Sequence, residues 1–162
     1  MGDVRLLGTC EMIHAMDYGQ FTISGGPDVD ELRLLAAAMQ HPPSAADGRS
    51  ILVRSPHQNN FAMRVTVERW SGRPSRDDAE WEQISIEPLT VRDPGVVRLG
   101  SPTLEDTVCA VPPGEYRLEI SGRGFVNNGW PGSTEPGDEW RLRFWPRTAH
   151  EDDVRKVWRK PD

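Results

Sequence analysis

FAMRVTVE, residues 61–68, is the stretch that decides the fold class of this chain. Phe61, Met63, Val65 and Val67 occupy alternate positions, and small, polar or charged residues lie between them. Successive side chains of a strand point to opposite faces of a sheet, so an apolar period of two indicates a β-strand with one buried face. We therefore predict a strand here and look for its partners on either side.

The same alternation recurs in shorter segments along the chain. These further predicted strands cover residues 10–23, 51–53, 81–89, 96–99, 116–120 and 140–144. Turn sequences separate several of them, namely Asp47-Gly48, Asp93-Pro94-Gly95 and Pro112-Pro113-Gly114. The 15 Gly and 14 Pro suit many short strands joined by tight turns. Together these signals predict a mostly β protein, an antiparallel β-sandwich.

One segment, which follows the first strands, has a helical pattern instead. Asp28 and Glu31 form a pair like a capping box at its start. The apolar residues behind them recur at helical spacing as one stripe made of Val29, Leu32, Leu35, Ala36 and Met39. His41-Pro42-Pro43 ends the pattern, because proline disfavours helical geometry in the residue before it. We predict one short helix here.

A chain of 162 residues is about one domain long. We predict a single sandwich domain over residues 1–146 and a charged C-terminal extension over residues 147–162. Val154 and Trp158 are four residues apart in that extension, so either a short helix docks both side chains or the terminus is frayed.

No membrane span and no secretory signal are visible in the sequence, so we expect a cytoplasmic protein. In that compartment thiols are kept reduced, and we expect Cys10 and Cys109 to be free and partly buried.

Residue patterns that carry catalysis are missing from the sequence. The four histidines, His14, His41, His57 and His150, lie in unrelated segments without metal-ligand spacing. No GxSxG elbow occurs, and neither cysteine has the surroundings of a nucleophile. We therefore predict no catalytic residues, no metal site and no cofactor, and a protein that binds rather than catalyses.

The charge balance favours a particular kind of partner. A net charge of −6 repels phosphates and suits a basic protein, although it also serves solubility alone. We therefore expect no nucleic-acid or membrane partner. Candidate partner-binding carboxylates lie on two predicted loops: Asp77, Asp78 and Glu80 on the first, and Glu135, Asp138 and Glu139 on the second.

Six tryptophans are many for this length. Trp140 alternates with Leu142 and Phe144 and is predicted to be core, and Trp81 partly so. The sequence pattern allows four other tryptophans to lie at the surface, namely Trp70, Trp130, Trp145 and Trp158. Trp130 follows Asn127-Asn128-Gly129 in a flexible loop, where its ring would anchor a protein partner, stack on a sugar, or cover one end of the sandwich.

The order of these motifs resembles the competence-J (ComJ-like) family, whose members inhibit a DNA-entry nuclease. The similar segments span residues 12–145 and consist of Tyr18-Gly19-Gln20-Phe21, Ala46-Asp47-Gly48 before Ile51, the strand 61–67, and Pro112-Pro113-Gly114-Glu115-Tyr116. The loop 127–137 and the segment from Arg147 onward depart from the pattern. The resemblance implies a sandwich with one helix and an inhibitor or immunity activity against a nuclease or related toxin. A small-ligand or glycan-binding sandwich that uses Trp130 is the alternative.

Overall fold

The computed structural model describes residues 2–125, 128–148 and 155–158. These residues contain eleven strands, one α-helix and one short 3-10 turn. The strands are β1 Leu6–Met16, β2 Gln20–Ser24, β3 Ser44–Ala46, β4 Ser50–Arg54, β5 Asn60–Trp70, β6 Gln83–Val91, β7 Val96–Gly100, β8 Thr107–Ala110, β9 Gly114–Arg123, β10 Glu139–Pro146 and β11 Lys156–Val157. The helix α1 is Glu31–Gln40, and the 3-10 turn is Asp78–Glu80.

The strands form two sheets, which confirms the predicted sandwich class. One sheet has six strands in the order β1-β5-β10-β9-β6-β11, and the other has five in the order β3-β4-β2-β7-β8. One pairing departs from the antiparallel expectation, because β10 runs parallel to β5 while it pairs antiparallel with β9. No helix in the described ranges is long and apolar enough to cross a membrane.

The main core lies between the two sheets and is built from alternate residues of each strand. Met63, Val65 and Val67 of β5 are at most 2% exposed, as the period of two predicts. They meet apolar residues of the second sheet, including Phe21, whose ring lies edge-on to Trp140 at 5.1 Å. Phe61, the second residue of β5, is 43% exposed, so the predicted buried face does not extend to it.

The outer face of the six-stranded sheet is polar and nevertheless largely buried. On β9, Arg117 and Glu119 point away from the core and are only 8% and 5% exposed. The loop at residues 71–82 reaches this face, since Arg143 Nη1 on β10 donates to the Ser75 carbonyl at 3.2 Å. The segment 155–158 also lies at the sheet, where β11 pairs with β6.

The helix differs from its sequence prediction in its start and in its buried face. Asp30, not Asp28, is the N-cap, and its carboxylate accepts the Arg33 N–H at 3.2 Å. Leu34 and Ala38 pack on the second sheet against Ala45 and Leu52, with Val29, Leu35 and Ala37 partly buried around them. The predicted stripe is therefore wrong for three of its members: Leu32 is 83% exposed, Met39 is 61% exposed, and Ala36 is exposed as well.

Several single-residue expectations are also resolved. Trp140 is core and Trp81 is 9% exposed, as predicted, whereas Trp145 is buried rather than exposed. Both cysteines are free, with Cys10 exposed and Cys109 buried. In the C-terminal extension, Trp158 follows a short strand instead of lying on a helix, and its expected partner Val154 lies outside the described residues.

Candidate partner-binding site

The first group of predicted carboxylates lies on the loop that crosses the outer face of the six-stranded sheet. Arg141 donates two parallel hydrogen bonds to Asp77, at 2.6 and 2.7 Å. Arg143 lies 3.4 Å from the same carboxylate and donates through Nε to Glu119 at 2.7 Å. Bidentate arginine–carboxylate pairs are strong and geometrically specific. They hold the loop to the sheet and neutralise most of the charge on Asp77.

Trp81 completes this attachment. The guanidinium groups of Arg123 and Arg141 lie 4.3 and 4.5 Å from the centre of its ring. A guanidinium within about 6 Å of an indole is attracted by the negative face of the ring. The loop is thus fixed near its middle by the ion pair at Asp77 and near its end by the two cation–π contacts at Trp81.

The other two carboxylates of this loop have different surroundings. Asp78 pairs with Arg76 at 3.0 Å and makes a close contact with Arg155 of the C-terminal segment. Glu80 is exposed. Of the three residues, Glu80 is the most accessible to a partner, and the charges of Asp77 and Asp78 are largely compensated within the chain.

Asp138, on the second predicted loop, was predicted to contact a partner at the surface. That prediction is wrong, because Asp138 is fully buried. Its Oδ1 accepts from Asn60 Nδ2 at 2.7 Å and lies 3.1 Å from His57 Nδ1, and its Oδ2 accepts the Trp140 indole N–H at 2.8 Å. A buried carboxylate without partners would be costly, and these three groups satisfy it. Asp138 therefore organises the interior.

The Asp138 cluster, formed by His57, Asn60, Asp138 and Trp140, joins the loop before β5 to the loop before β10. A backbone bond from the Phe61 N–H to the Thr134 carbonyl, 2.7 Å long, reinforces the junction. Of the acidic neighbours, Glu135 is exposed and Glu139 is paired with Arg123.

Trp130 lies on the same loop and is 50% exposed. Gly129 sits against His57, because an added Cβ would come within 2.7 Å of the imidazole Cδ2. The Asp138 cluster thus supports the turn that presents the indole. Asn128 is exposed beside it, and Asn127 lies outside the described residues.

A further acidic group surrounds the start of α1 and was not predicted as a site. Its carboxylates belong to Asp28, Asp30, Glu31 and Asp47, and they line an open hollow with Leu32. The Asp28 carbonyl accepts the Ser50 hydroxyl at 3.3 Å, which brings the 47–50 turn to the helix. Asp47 accepts two backbone N–H groups, both at 2.9 Å.

This acidic group is called the helix carboxylates below, and the Arg49 side chain lines the same hollow. Within the described ranges none of the four forms an ion pair, in contrast to Asp77, Asp78 and Glu139. Among the described residues no group of three or more His, Cys, Asp or Glu side chains is arranged to hold a metal ion. In the sequence, the Asp28–Glu31 spacing indicated only the start of a helix. Asp47 joins this acidic group through a tertiary contact, which the sequence does not reveal.

The two sheets and the helix α1 resemble in fold those of two solved structures. The chain is similar to the crystal structure of ComJ, inhibitor of the DNA degrading activity of NucA, from Bacillus subtilis, with a TM-score of 0.60 and 15% identity over 90% of this chain and 100% of that one. It is also similar to a structure described as crocagin biosynthetic gene J, with a TM-score of 0.55 and 14% identity over 87% of this chain and 98% of that one. No family model and no curated protein sequence matches this chain.

Replacing Asp138 by Ala is expected to lower the free energy of unfolding by about 3 kcal/mol or more, because three buried groups lose their common acceptor. Urea unfolding of the purified variant measures this. Glu135→Ala, an exposed carboxylate three residues earlier, is the matched control and is expected to stay within about 0.5 kcal/mol of the unchanged protein. Equal effects of the two substitutions would contradict the assignment of Asp138 to the interior.

The hydrogen bonds from Arg141 hold the pKa of Asp77 below its ordinary value, although partial burial of the carboxylate opposes them. A carboxylate with a lowered folded-state pKa stabilises the fold fully above its unfolded value, about 3.9, and loses that contribution as the pH falls through the folded value. Asp77→Asn is therefore expected to be less stable than the unchanged protein at neutral pH. The gap is expected to close as the pH falls below the unfolded value.

Unfolding free energies measured across this acid range test the prediction for Asp77. Glu80→Gln, on the same loop, is the control and is expected to show no such gap. A gap that persists unchanged to the lowest pH would show that Asp77 acts through shape and not through charge.

Proposed function

We propose that this chain is an inhibitor-type or immunity-type protein that binds a DNA-degrading nuclease and blocks its activity. The observation that carries the proposal is the superposition on ComJ, which extends over 90% of this chain. Fold alone does not determine function, so the proposal also needs a surface suited to such a partner.

The charge distribution supports a basic partner. A nuclease cleft must attract phosphates and is therefore positive, and carboxylates on a rigid surface are steered toward it. The helix carboxylates, with the exposed Glu80 and Glu135, provide negative charge, and the four helix carboxylates outnumber the one cation, Arg49, that lines the same hollow. We also propose weaker contacts at Asp77, Asp78 and Glu139. Each of these carboxylates is paired with an arginine of this chain, which limits its attraction for a basic partner.

The same charge argues against other partner classes. A net charge of −6 repels nucleic acid and anionic lipid surfaces alike. We therefore propose a protein partner, with neither nucleic acid nor membrane as a ligand. The likeness to an inhibitor supports the proposal of a non-enzymatic role, and a cytoplasmic location is part of the same proposal.

Adding the chain to the DNA-degrading nucleases encoded in the same genome is expected to inhibit at least one of them. We expect a stoichiometric titration end point and an association rate that falls with salt, since opposite charges steer the encounter. Plasmid degradation and stopped-flow binding measure the two effects. An unrelated protein of similar net charge is the control. Failure to inhibit any of the nucleases, or inhibition matched by the control, would contradict the proposal.

A second candidate function, binding of a glycan or small ligand, is favoured by the half-exposed indole of Trp130. Aromatic faces next to amide side chains suit sugar rings, and Asn128 lies two residues before Trp130.

On a sugar array, Trp130→Ala is expected to lose any binding that the unchanged chain shows, because the stacking surface is gone. Tyr18→Ala removes an exposed aromatic ring on a different turn and is the matched control. Equal binding by the Trp130→Ala variant and the unchanged chain would reject this function.

A further inference from the structure

The helix presents an apolar stripe to solvent. At about 100° per residue, Leu34 lies about 200° around the axis from Leu32, so the inner and outer faces are opposed. Leu32 and Met39 are 83% and 61% exposed, and Ala36 between them is exposed as well. These three residues, called the outer stripe, follow one line along the helix. An amphipathic helix normally leaves charged residues on this side, so an apolar outer stripe indicates contact with another molecule.

The outer stripe continues into the turn between β1 and β2. Tyr18 and Met39 line one open hollow of about 350 Å³, whose further lining includes apolar Leu35 and Pro56 and polar Arg54 and Gln58. Tyr18 is 64% exposed, so its ring extends the apolar surface beyond the end of the helix.

The backbone at Tyr18 is strained, because its φ is +56°, a value that residues other than glycine rarely adopt. Neighbouring bonds hold it there: the Gly19 N–H donates to the Gln58 carbonyl, and the Ser55 N–H donates to the Gly19 carbonyl, both at 2.8 Å. Strain that the surroundings enforce is concentrated at functional sites. Here it keeps an aromatic side chain directed outward.

The charges next to the outer stripe indicate which kind of partner can bind it. The helix carboxylates lie at the Leu32 end of the outer stripe and form no ion pairs among the described residues. Arg49 lines the same hollow, so four carboxylates stand against one cation there. A complementary partner has an apolar groove flanked by lysine or arginine side chains. A second copy of this chain would bring the same carboxylates toward each other, and anionic lipid would be repelled.

We propose that the outer stripe, Tyr18 and the helix carboxylates are the surface that docks into a basic-rimmed apolar groove of the nuclease. This inference rests on the proposed inhibitor function and names its contact face. The binding mode is a helix in a groove, in which residues at helical spacing act as anchors and surrounding charges set the association rate.

The test uses the full chain and the nuclease that it inhibits. Leu32→Ser/Met39→Ser is expected to weaken binding at least about ten-fold, since both anchors lose buried apolar contact. Leu7→Ser/Val108→Ser is the matched control, because these residues are similarly exposed, at 50% and 53%, and lie on β1 and β8. The control is expected to bind as the unchanged chain does. Circular dichroism melts are expected to be unchanged for both variants.

A charge variant tests the electrostatic half of the proposal. Asp28→Asn/Asp30→Asn/Glu31→Gln/Asp47→Asn retains the capping group, since asparagine caps a helix as well as aspartate does. It is expected to slow association and to flatten the dependence of the rate on salt. Tyr18→Ala is expected to speed dissociation.

Three outcomes would overturn the inference. If the unchanged chain inhibits a nuclease and Leu32→Ser/Met39→Ser inhibits it equally, the docking face is wrong while the proposed function stands. If the unchanged chain inhibits none of the nucleases, both fail. If light scattering shows a dimer that only Leu32→Ser/Met39→Ser dissociates, the partner that binds the outer stripe is a second copy of this chain.

Discussion

The alternation of side chains along β10 is the constraint on which the rest of the structure depends. Trp140, Leu142 and Phe144 point into the core between the sheets, and Arg141 and Arg143 point to the outer face. Because the strand pairs with β5 on one side and β9 on the other, a shift by one residue would reverse all five side chains. The hydrophobic core and the attachment of the 71–82 loop therefore require the same register.

The register of β10 also determines where the acidic residues can act. Its arginines hold Asp77 and Glu119 in a network at the outer face, and Asp138 at its start is enclosed by His57, Asn60 and Trp140. A buried carboxylate is stable only with such partners. The carboxylates left for an external partner are the exposed Glu80 and Glu135 and the group around the start of α1. The contact surface proposed at the helix uses the last of these groups.

The strands could be predicted because a half-buried strand has a local signature, the period of two seen in residues 61–68. The parallel pairing of β5 with β10 has no local signature, because it joins segments more than 70 residues apart (Arg64 with Glu139). The buried face of α1 was predicted wrongly for a similar reason. Residues 34–39, LLAAAM, are apolar at every position, so several stripes are equally consistent with the sequence and only packing against β3 and β4 selects one.

The candidate site was harder to predict than the fold. The residues around Asp138 have a loop-like composition whether the carboxylate faces water or the interior, and its partner His57 is 81 residues away. The helix carboxylates could be listed from the sequence, but their assembly depends on the 47–50 turn meeting the helix. The strain at Tyr18 has no sequence signal either, because tyrosine is not a residue that favours a positive φ.

Hydrogen exchange of the chain, alone and with the nuclease that it inhibits, tests the central claim most directly. The account predicts the strongest slowing of amide exchange in the complex over residues 28–40 and 17–19, and only weak slowing over residues 71–82 on the outer face of the six-stranded sheet. Protection confined to residues 71–82, or to the turn that carries Trp130, would contradict it.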